Sequence, residues 1–147
     1  MIRVQEDIFD AAGEIDALIA GRKDIGAVVT FVGHVRGDSN GEPITAMTLE
    51  HYPGMTEAKL GEIERRARAR WPLDACLIVH RVGRMLPGEP IVLVVTASAH
   101  RRAAFEAAEF LVDWLKTRAP FWKREETAAG DVWVAALDED EDAARRW

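Results

Sequence analysis

The sequence predicts an α+β fold in which short strands outnumber helices and neighbouring strands pair through hairpins. Apolar, β-branched runs recur along the chain, at residues 25–32, 75–82 and 91–97. Two longer segments, residues 55–71 and 99–118, have the character of helices, with apolar side chains along one side. Turn residues separate most of the strands, which favours an antiparallel arrangement over a doubly wound parallel sheet.

The N-terminal part of the chain predicts three strands and one short helix. Ile2–Gln5 predicts the first strand, and Ala11–Ala20 predicts a helix with its apolar residues on one side. Ile25–Val32 predicts a buried strand and Ile44–Tyr52 a second strand. The segment between these two strands, residues 33–41, holds three glycines and predicts a long exposed loop. Its Asn40-Gly41 pair predicts a hairpin between these two strands.

The C-terminal part predicts alternating helices and strands. Pro53-Gly54 opens a charged helix that ends near Trp71-Pro72. Ser98 is the predicted N-cap of the next helix, which runs to about Arg118 because Pro120 prevents continuation. The acids of the tail precede its arginines, as a helix dipole prefers. The remaining predictions are strands at Ala75–Val82 and Ile91–Ala97, a turn region at Gly83–Pro90, and a hairpin of Phe121–Thr127 with Asp131–Ala136.

Composition indicates a soluble protein of one domain, residues 1–147, in the cytoplasm. The chain is 48% hydrophobic and 30% charged, and its one cysteine excludes an internal disulfide. The N-terminus lacks the apolar run of a signal peptide, and no segment has the length of a membrane span. A net charge of -6 disfavours bulk nucleic-acid binding.

A local cationic segment stands out against this acidic background. Between Ser98 and Glu125 there are six Lys or Arg residues and four acids. Lys116 and Lys123 flank the Pro120 break, where Phe121 and Trp122 are expected to bury the turn. A partly buried amine among other cations has a lowered pKa and can act as a base or nucleophile. We therefore expect a site for a small anionic substrate, although a solvated basic face is the simpler alternative.

The start of the second long helix is also cationic. His100, Arg101 and Arg102 lie in its predicted first turn, where the helix dipole disfavours positive charge, so an anion held there is one explanation. Pairing with carboxylates elsewhere is the other. His100 and Lys116 are sixteen positions apart, or about 24 Å along a helix. If both serve one site, a twofold dimer is the expected solution.

The other candidate residues carry less information. Arg36 lies in a glycine-rich loop and is a reasonable anion ligand, but the loop lacks the ending of a phosphate-binding motif. His51 and His80 are expected to be structural, and no spacing resembles a metal site. Cys76 lies in an apolar strand and is expected to be inert core.

Several strings of residues, in order along the chain, resemble the large, catalytic subunit of molybdopterin synthase. The likeness runs from about Ile25 to the C-terminus. The strings are Leu49-Glu50-His51-Tyr52-Pro53-Gly54-Met55-Thr56-Glu57, His80-Arg81-Val82-Gly83, Ser98-Ala99-His100-Arg101 and Lys116-Thr117-Arg118-Ala119-Pro120-Phe121-Trp122-Lys123-Arg124-Glu125.

The resemblance implies an α/β hammerhead-type fold with additional antiparallel strands, and a definite reaction. Such enzymes convert cyclic pyranopterin monophosphate to molybdopterin by installing two sulfurs as a dithiolene. The sulfur arrives as a thiocarboxylate on the Gly-Gly tail of a small ubiquitin-like subunit, and two large and two small subunits form a heterotetramer around a central homodimer. The resemblance implies no cofactor, metal, nucleic acid or membrane.

The resemblance also assigns roles to residues. It implies that Lys116 and Lys123 are catalytic, with Lys116 the leading acid, base or tail contact and Lys123 positioning substrate. The implied substrate-binding residues are His34, Val35, Arg36, His100, Arg101, Lys116, Lys123, Arg124 and Glu125. Two positions depart from the family pattern, because His34 replaces a frequent lysine and Leu137 a residue that is basic in some relatives. A non-catalytic anion- or nucleotide-binding module of the same fold is the alternative.

Overall fold

The computed structural model describes residues 1–135 and 138–147 and confirms the α+β class. Within these residues, no helix is both long and apolar enough to cross a membrane. The four helices described are α1 (Ala11–Ile19), α2 (Met55–Arg70), α3 (Arg101–Thr117) and α4 (Asp138–Ala144). The strands are β1 (Ile2–Gln5), β2 (Ala27–His34), β3 (Asp38–Ser39), β4 (Glu42–His51), β5 (Ala75–Arg81), β6 (Gly83–Met85), β7 (Pro90–Ser98), β8 (Phe121–Thr127) and β9 (Gly130–Val134).

The strands form two groups. The first sheet has the order β1-β5-β7-β2, and only the β1–β5 pair is parallel. The second has the order β3-β4-β8-β9, and β6 also pairs with β4. All pairs of the second sheet are antiparallel, as the turn-rich sequence predicts.

Helices cover both faces of the first sheet, and every residue of β5 is therefore buried. On one face, Ile78 and Val94 pack against apolar residues of α2 and α3. On the other face, Leu77 and Val95 pack with Phe9 and the apolar side of α1. This alternation along a strand buried on both sides explains why its sequence reads as a continuous apolar run.

The predicted hairpin between the strands near residues 32 and 44 is wrong. β2 pairs with β7 in the first sheet, whereas β4 pairs with β8 in the second. The chain crosses between the sheets at Val35, whose N–H donates to the Glu89 carbonyl at 2.9 Å. The Asn40-Gly41 turn, with φ of 52° and 82°, joins the short β3 to β4 instead.

Two further boundaries differ from the prediction. Ser98 ends β7 opposite Ala27, and its hydroxyl donates to the Pro72 carbonyl at 2.8 Å, so His100 rather than Ser98 is the N-cap of α3. The predicted turn region beginning at Gly83 contains β6, which reaches the second sheet. The last predicted hairpin is confirmed as β8 and β9, but residue 136 and the departure at Leu137 lie outside the described residues.

Candidate functional site

Lys123 lies in the middle of the second sheet, on β8. It pairs with Leu49 of β4 on one side and Val134 of β9 on the other. Because side chains alternate along a strand, Lys123 and Glu125 share one face, and Trp122 and Arg124 share the opposite face. The Lys123 face is continuous with the buried cluster around Leu49 and Met47, so its amine is partly buried.

Charged side chains of α3, of the loop after β2, of α4 and of β8 itself act on this amine. Burial is the largest cause that lowers the pKa of Lys123, and the positive charges of Lys116 and Arg36 lower it further. The carboxylates of Glu125 and Asp140 oppose this effect. Lys116 and Arg36 therefore lie close enough to Lys123 for their positive charges to act on its amine.

The chain order explains how the two lysines meet. Lys116 is exposed in the last turn of α3, which ends where the Arg118 N–H donates to the Trp114 carbonyl at 2.7 Å. Pro120 prevents a further helical turn, so the chain reverses over three residues and enters β8. Lys123 is the third residue of that strand, and it is therefore held near the end of the helix.

Arg36 is positioned by its neighbour. The Val35 side chain is only 4% exposed and packs with Met47, Leu49 and Met85. The Val35 carbonyl accepts a 2.8 Å hydrogen bond from the Gly88 N–H. This anchor leaves Arg36 exposed immediately after it, and His34 is exposed immediately before it.

An aromatic residue and two histidines support the start of β8. The Phe121 ring stacks on the His80 imidazole with centroids 3.9 Å apart, and His51 lies 6.5 Å from the same ring. The Arg81 carbonyl accepts a 2.9 Å hydrogen bond from His80 Nδ1, so this nitrogen carries a proton. Burial lowers the pKa of His80 to about 4. The structural role expected for both histidines is consistent with these contacts.

Glu125 and Arg124 have different surroundings. Glu125 is 6% exposed on the Lys123 face, where its carboxylate opposes the lowering of the Lys123 pKa. The Arg124 guanidinium lies 5.7 Å from the centre of the Trp133 ring, and its Nε is 3.9 Å from Asp131. The structure does not bring Arg124 to the face that carries Lys123.

His100 and Arg101 lie at the opposite end of α3 from Lys116, and both are exposed. The helix is continuous over 17 residues, so the two ends are about 24 Å apart. Within one chain these residues do not join the lysine cluster. The charge of Arg102 is paired within α3, since its Nε donates to Glu106 at 2.8 Å.

Sequence reasoning missed Asp140, which acts on Lys123 from α4. The sequence of the tail indicates only a helix with acids at its start. No sequence spacing relates Asp140 to β8. The chain end is held beside α3 by ion pairs of Arg146 with Glu109 and Asp113, which join segments far apart in sequence. Among the described residues, no cluster of His, Cys, Asp and Glu side chains is suited to a metal ion.

Comparisons with known proteins point to one family. A family model described as MoaE protein matches residues 4–118. The molybdopterin synthase catalytic subunit of Pseudomonas aeruginosa is 56% identical over 146 residues, which cover 99% of this chain and 97% of that protein. The subunit of the same name from Escherichia coli is 54% identical over 137 residues, which cover 93% of this chain and 91% of that protein.

Solved structures agree with this result. A molybdopterin biosynthesis MoaE protein from Burkholderia ambifaria superposes with a TM-score of 0.85 at 50% identity, covering 100% of this chain and 97% of that one. Molybdopterin synthase from Staphylococcus aureus gives a TM-score of 0.84 at 30% identity, covering 90% of this chain and 96% of that one. These superpositions confirm the hammerhead-type α+β fold that the resemblance implied.

Proposed function

The chain belongs to the MoaE protein family, and on that premise we propose that it is the catalytic subunit of a molybdopterin synthase. Its reaction converts cyclic pyranopterin monophosphate to molybdopterin with sulfur from the thiocarboxylated tail of a small ubiquitin-like subunit. The observation that carries this proposal is the cluster of Lys116 and Arg36 around the partly buried amine of Lys123. A sulfurtransferase of this kind needs a cationic pocket beside an amine that can exchange a proton.

The charge of the pocket suits each reacting group. The substrate phosphate and the thiocarboxylate are anions, and an oxyanion forms when the acyl–sulfur bond of the tail is broken. Lys116 is exposed and accessible to the incoming tail, so we assign it the leading contact or proton transfer. The lowered pKa of Lys123 increases the fraction of neutral amine near pH 7, which suits a residue that positions substrate and assists proton transfer.

The neighbouring residues support this arrangement in distinct ways. We assign Arg36 and His34 to the substrate anion, with Val35 holding them by its packing. Glu125 is assigned to balancing the cationic cluster from the Lys123 face. Arg124 faces Trp133, and we assign it no direct substrate contact.

Sulfur delivery by a partner agrees with the burial and the raised thiol pKa of Cys76. Cys76 is 1% exposed, and burial raises the pKa of its thiol to about 11. A protonated thiol enclosed by core residues is a poor nucleophile. The sulfur must therefore come from elsewhere, and a thiocarboxylate supplies it.

We further propose a central homodimer within a heterotetramer. The separation of His100 from Lys116 along α3 means that one chain cannot offer both to a small substrate. A twofold partner can supply His100 and Arg101 to the Lys116 end of its neighbour. We also propose that residues 1–147 form one domain and that the protein works in the cytoplasm, where a sulfur-carrier partner and a free thiol are both compatible with reducing conditions.

Reconstitution tests the proposed function. The protein is mixed with thiocarboxylated small subunit and cyclic pyranopterin monophosphate, and the dithiolene product is quantified. We expect product only when the tail carries sulfur, so small subunit with an ordinary carboxylate is the control. Absence of product from folded protein that still binds the small subunit would support a non-catalytic module of the same fold.

A further inference from the structure

A charged side chain is buried at the end of β5, close to the point where the chain crosses between the two sheets. Arg81 is the last residue of this strand and is only 6% exposed. Removing a guanidinium from water is costly unless hydrogen bonds replace those that it loses. Filling the core does not require a cation at this position, so the partners of Arg81 indicate what it does.

The Arg81 guanidinium joins the segment after β1 to the start of β7. Its Nε donates to the Glu6 carbonyl at 3.0 Å. Its Nη1 donates to the Glu89 carboxylate at 3.1 Å and to the Pro90 carbonyl at 2.9 Å. Because the guanidinium is planar and rigid, these contacts together fix the backbone that leads into β7 relative to the first sheet.

The turn that Arg81 fixes in this way holds Val35. The Val35 N–H donates to the Glu89 carbonyl at 2.9 Å, and the Val35 carbonyl accepts from the Gly88 N–H at 2.8 Å. Gly88 has a φ of 90°, which glycine adopts without strain, so the turn can present both groups to Val35. Both backbone groups of Val35 are thus bonded to this turn, and Arg36 follows directly after them.

The position of the Arg36 side chain depends on this backbone. Within residues 1–135 and 138–147, Arg36 has no ion pair with a carboxylate. Its charge lowers the pKa of Lys123, so it lies near that amine. A misplacement of roughly 1 Å can reduce the contribution of such a group by about 10²-fold. The backbone at Val35 therefore determines how well Arg36 meets an anion beside Lys123.

We propose that Arg81 and Glu89 are positioning residues, which hold Arg36 at the site through the backbone of Val35. The inference rests on the proposed function, in which Arg36 binds the substrate anion, and it adds an ion pair that acts without touching the substrate. If the pair only stabilised the fold, its loss would lower stability without a specific effect on substrate binding. The two roles therefore predict different results.

Removal of the Glu89 carboxylate tests the proposal. Glu89→Ala leaves the carbonyl partners of Arg81 in place, and the Glu89 side chain is 30% exposed, so the variant should fold. Arg22→Met is the matched control, because Arg22 also joins a carboxylate, Asp24, to a distant carbonyl, that of Asp74 before the start of β5. We expect Glu89→Ala to raise the KM for cyclic pyranopterin monophosphate by about tenfold with kcat within about twofold, and Arg22→Met to change neither.

A double-mutant cycle separates positioning from stability. If Glu89 acts through Arg36, adding Glu89→Ala to Arg36→Ala should not raise the KM further. Arg81→Met should raise the KM at least as much as Glu89→Ala, and it should also lower stability, because the Glu6 and Pro90 carbonyls lose a donor. An equal increase in KM with and without Arg36, or no increase in either background, would overturn the proposal.

An NMR titration of the Lys123 amine provides a measurement that does not need turnover. The charge of Arg36 lowers the pKa of Lys123, so a displaced Arg36 in Glu89→Ala should raise it. Loss of a carboxylate that acted directly on the amine would lower this pKa instead. A lowered or unchanged pKa would therefore overturn the positioning role. If the pKa rises but wild type forms no product, the proposed function fails while the positioning of Arg36 stands.

Discussion

A methyl group added at Gly26 tests how the first sheet holds the start of α3. The Gly26 N–H donates to the Ser98 carbonyl at 3.1 Å. A Cβ at this position would lie 2.1 Å from the carbonyl oxygen of Ala99, whereas real Cβ atoms essentially never approach within 3.0 Å. These atoms of Ala99 are backbone, so Gly26→Ala must push the segments around Gly26 and Ala99 apart by roughly 1 Å.

The magnitude follows from these contacts. Overpacking in a well-packed region costs about 1–3 kcal/mol, and weakening the hydrogen bond to Ser98 adds about 0.5–1.5 kcal/mol. We therefore expect Gly26→Ala to lower the free energy of unfolding by about 1.5–4.5 kcal/mol, measured by urea titration. Because Ala99 precedes His100, the shift should also raise the KM for substrate if His100 serves the site.

Gly61→Ala is the matched control. Gly61 lies inside α2, and the nearest atom to a new Cβ is the movable Arg65 Nη1 at 3.6 Å. Alanine is favoured over glycine in a helix by about 0.5–1 kcal/mol, so this variant should be slightly stabilised. A Gly26→Ala protein as stable as Gly61→Ala would refute the packing argument.

Three other predictions concern single side chains. Burial lowers the pKa of His80 from 6.5 to about 4, so the unfolded chain takes up a proton first and stability is lost as the pH falls from about 6.5 to about 4. We expect His80→Gln to remove about 2 kcal/mol of the stability difference between pH 7 and pH 5, measured by urea unfolding. Lys116→Met should raise the pKa of Lys123 and Glu125→Gln should lower it; shifts in the same direction in an NMR titration of the lysine amine would contradict the cluster. Leu60 is fully buried, so Leu60→Ala should cost about 2–5 kcal/mol in urea unfolding.

The sequence predicts best where one physical requirement determines a segment. The fully buried β5, the helix stopped before Pro72 and the hairpin of β8 and β9 follow from apolar runs and turn residues, and the structure confirms them. The proximity of Lys116 and Lys123 is predictable for the same reason. Pro120 must end the helix, and only a short connection separates the two lysines.

Elsewhere the outcome depends on pairing between distant segments. Asn40-Gly41 is a strong hairpin signal, but it cannot indicate that the preceding strand belongs to another sheet. Ser98 has a capping side chain, yet its hydroxyl bonds to Pro72 once β7 pairs with β2. Arg124 is adjacent to Lys123 in sequence and on the opposite face in space, and this alternation already follows from the strand predicted at residues 121–127.

The direct test of the central claim is single-turnover formation of the dithiolene by lysine variants. Lys116→Ala and Lys123→Ala are compared with Lys23→Ala, an exposed lysine near the start of the chain. With saturating thiocarboxylated small subunit and substrate, we expect the rate to fall by about 10²–10⁴-fold in the first two variants, as for loss of a proton-transfer group, and to stay unchanged in the third. Wild-type rates in both Lys116→Ala and Lys123→Ala would contradict the claim that this cluster carries the sulfur-transfer chemistry.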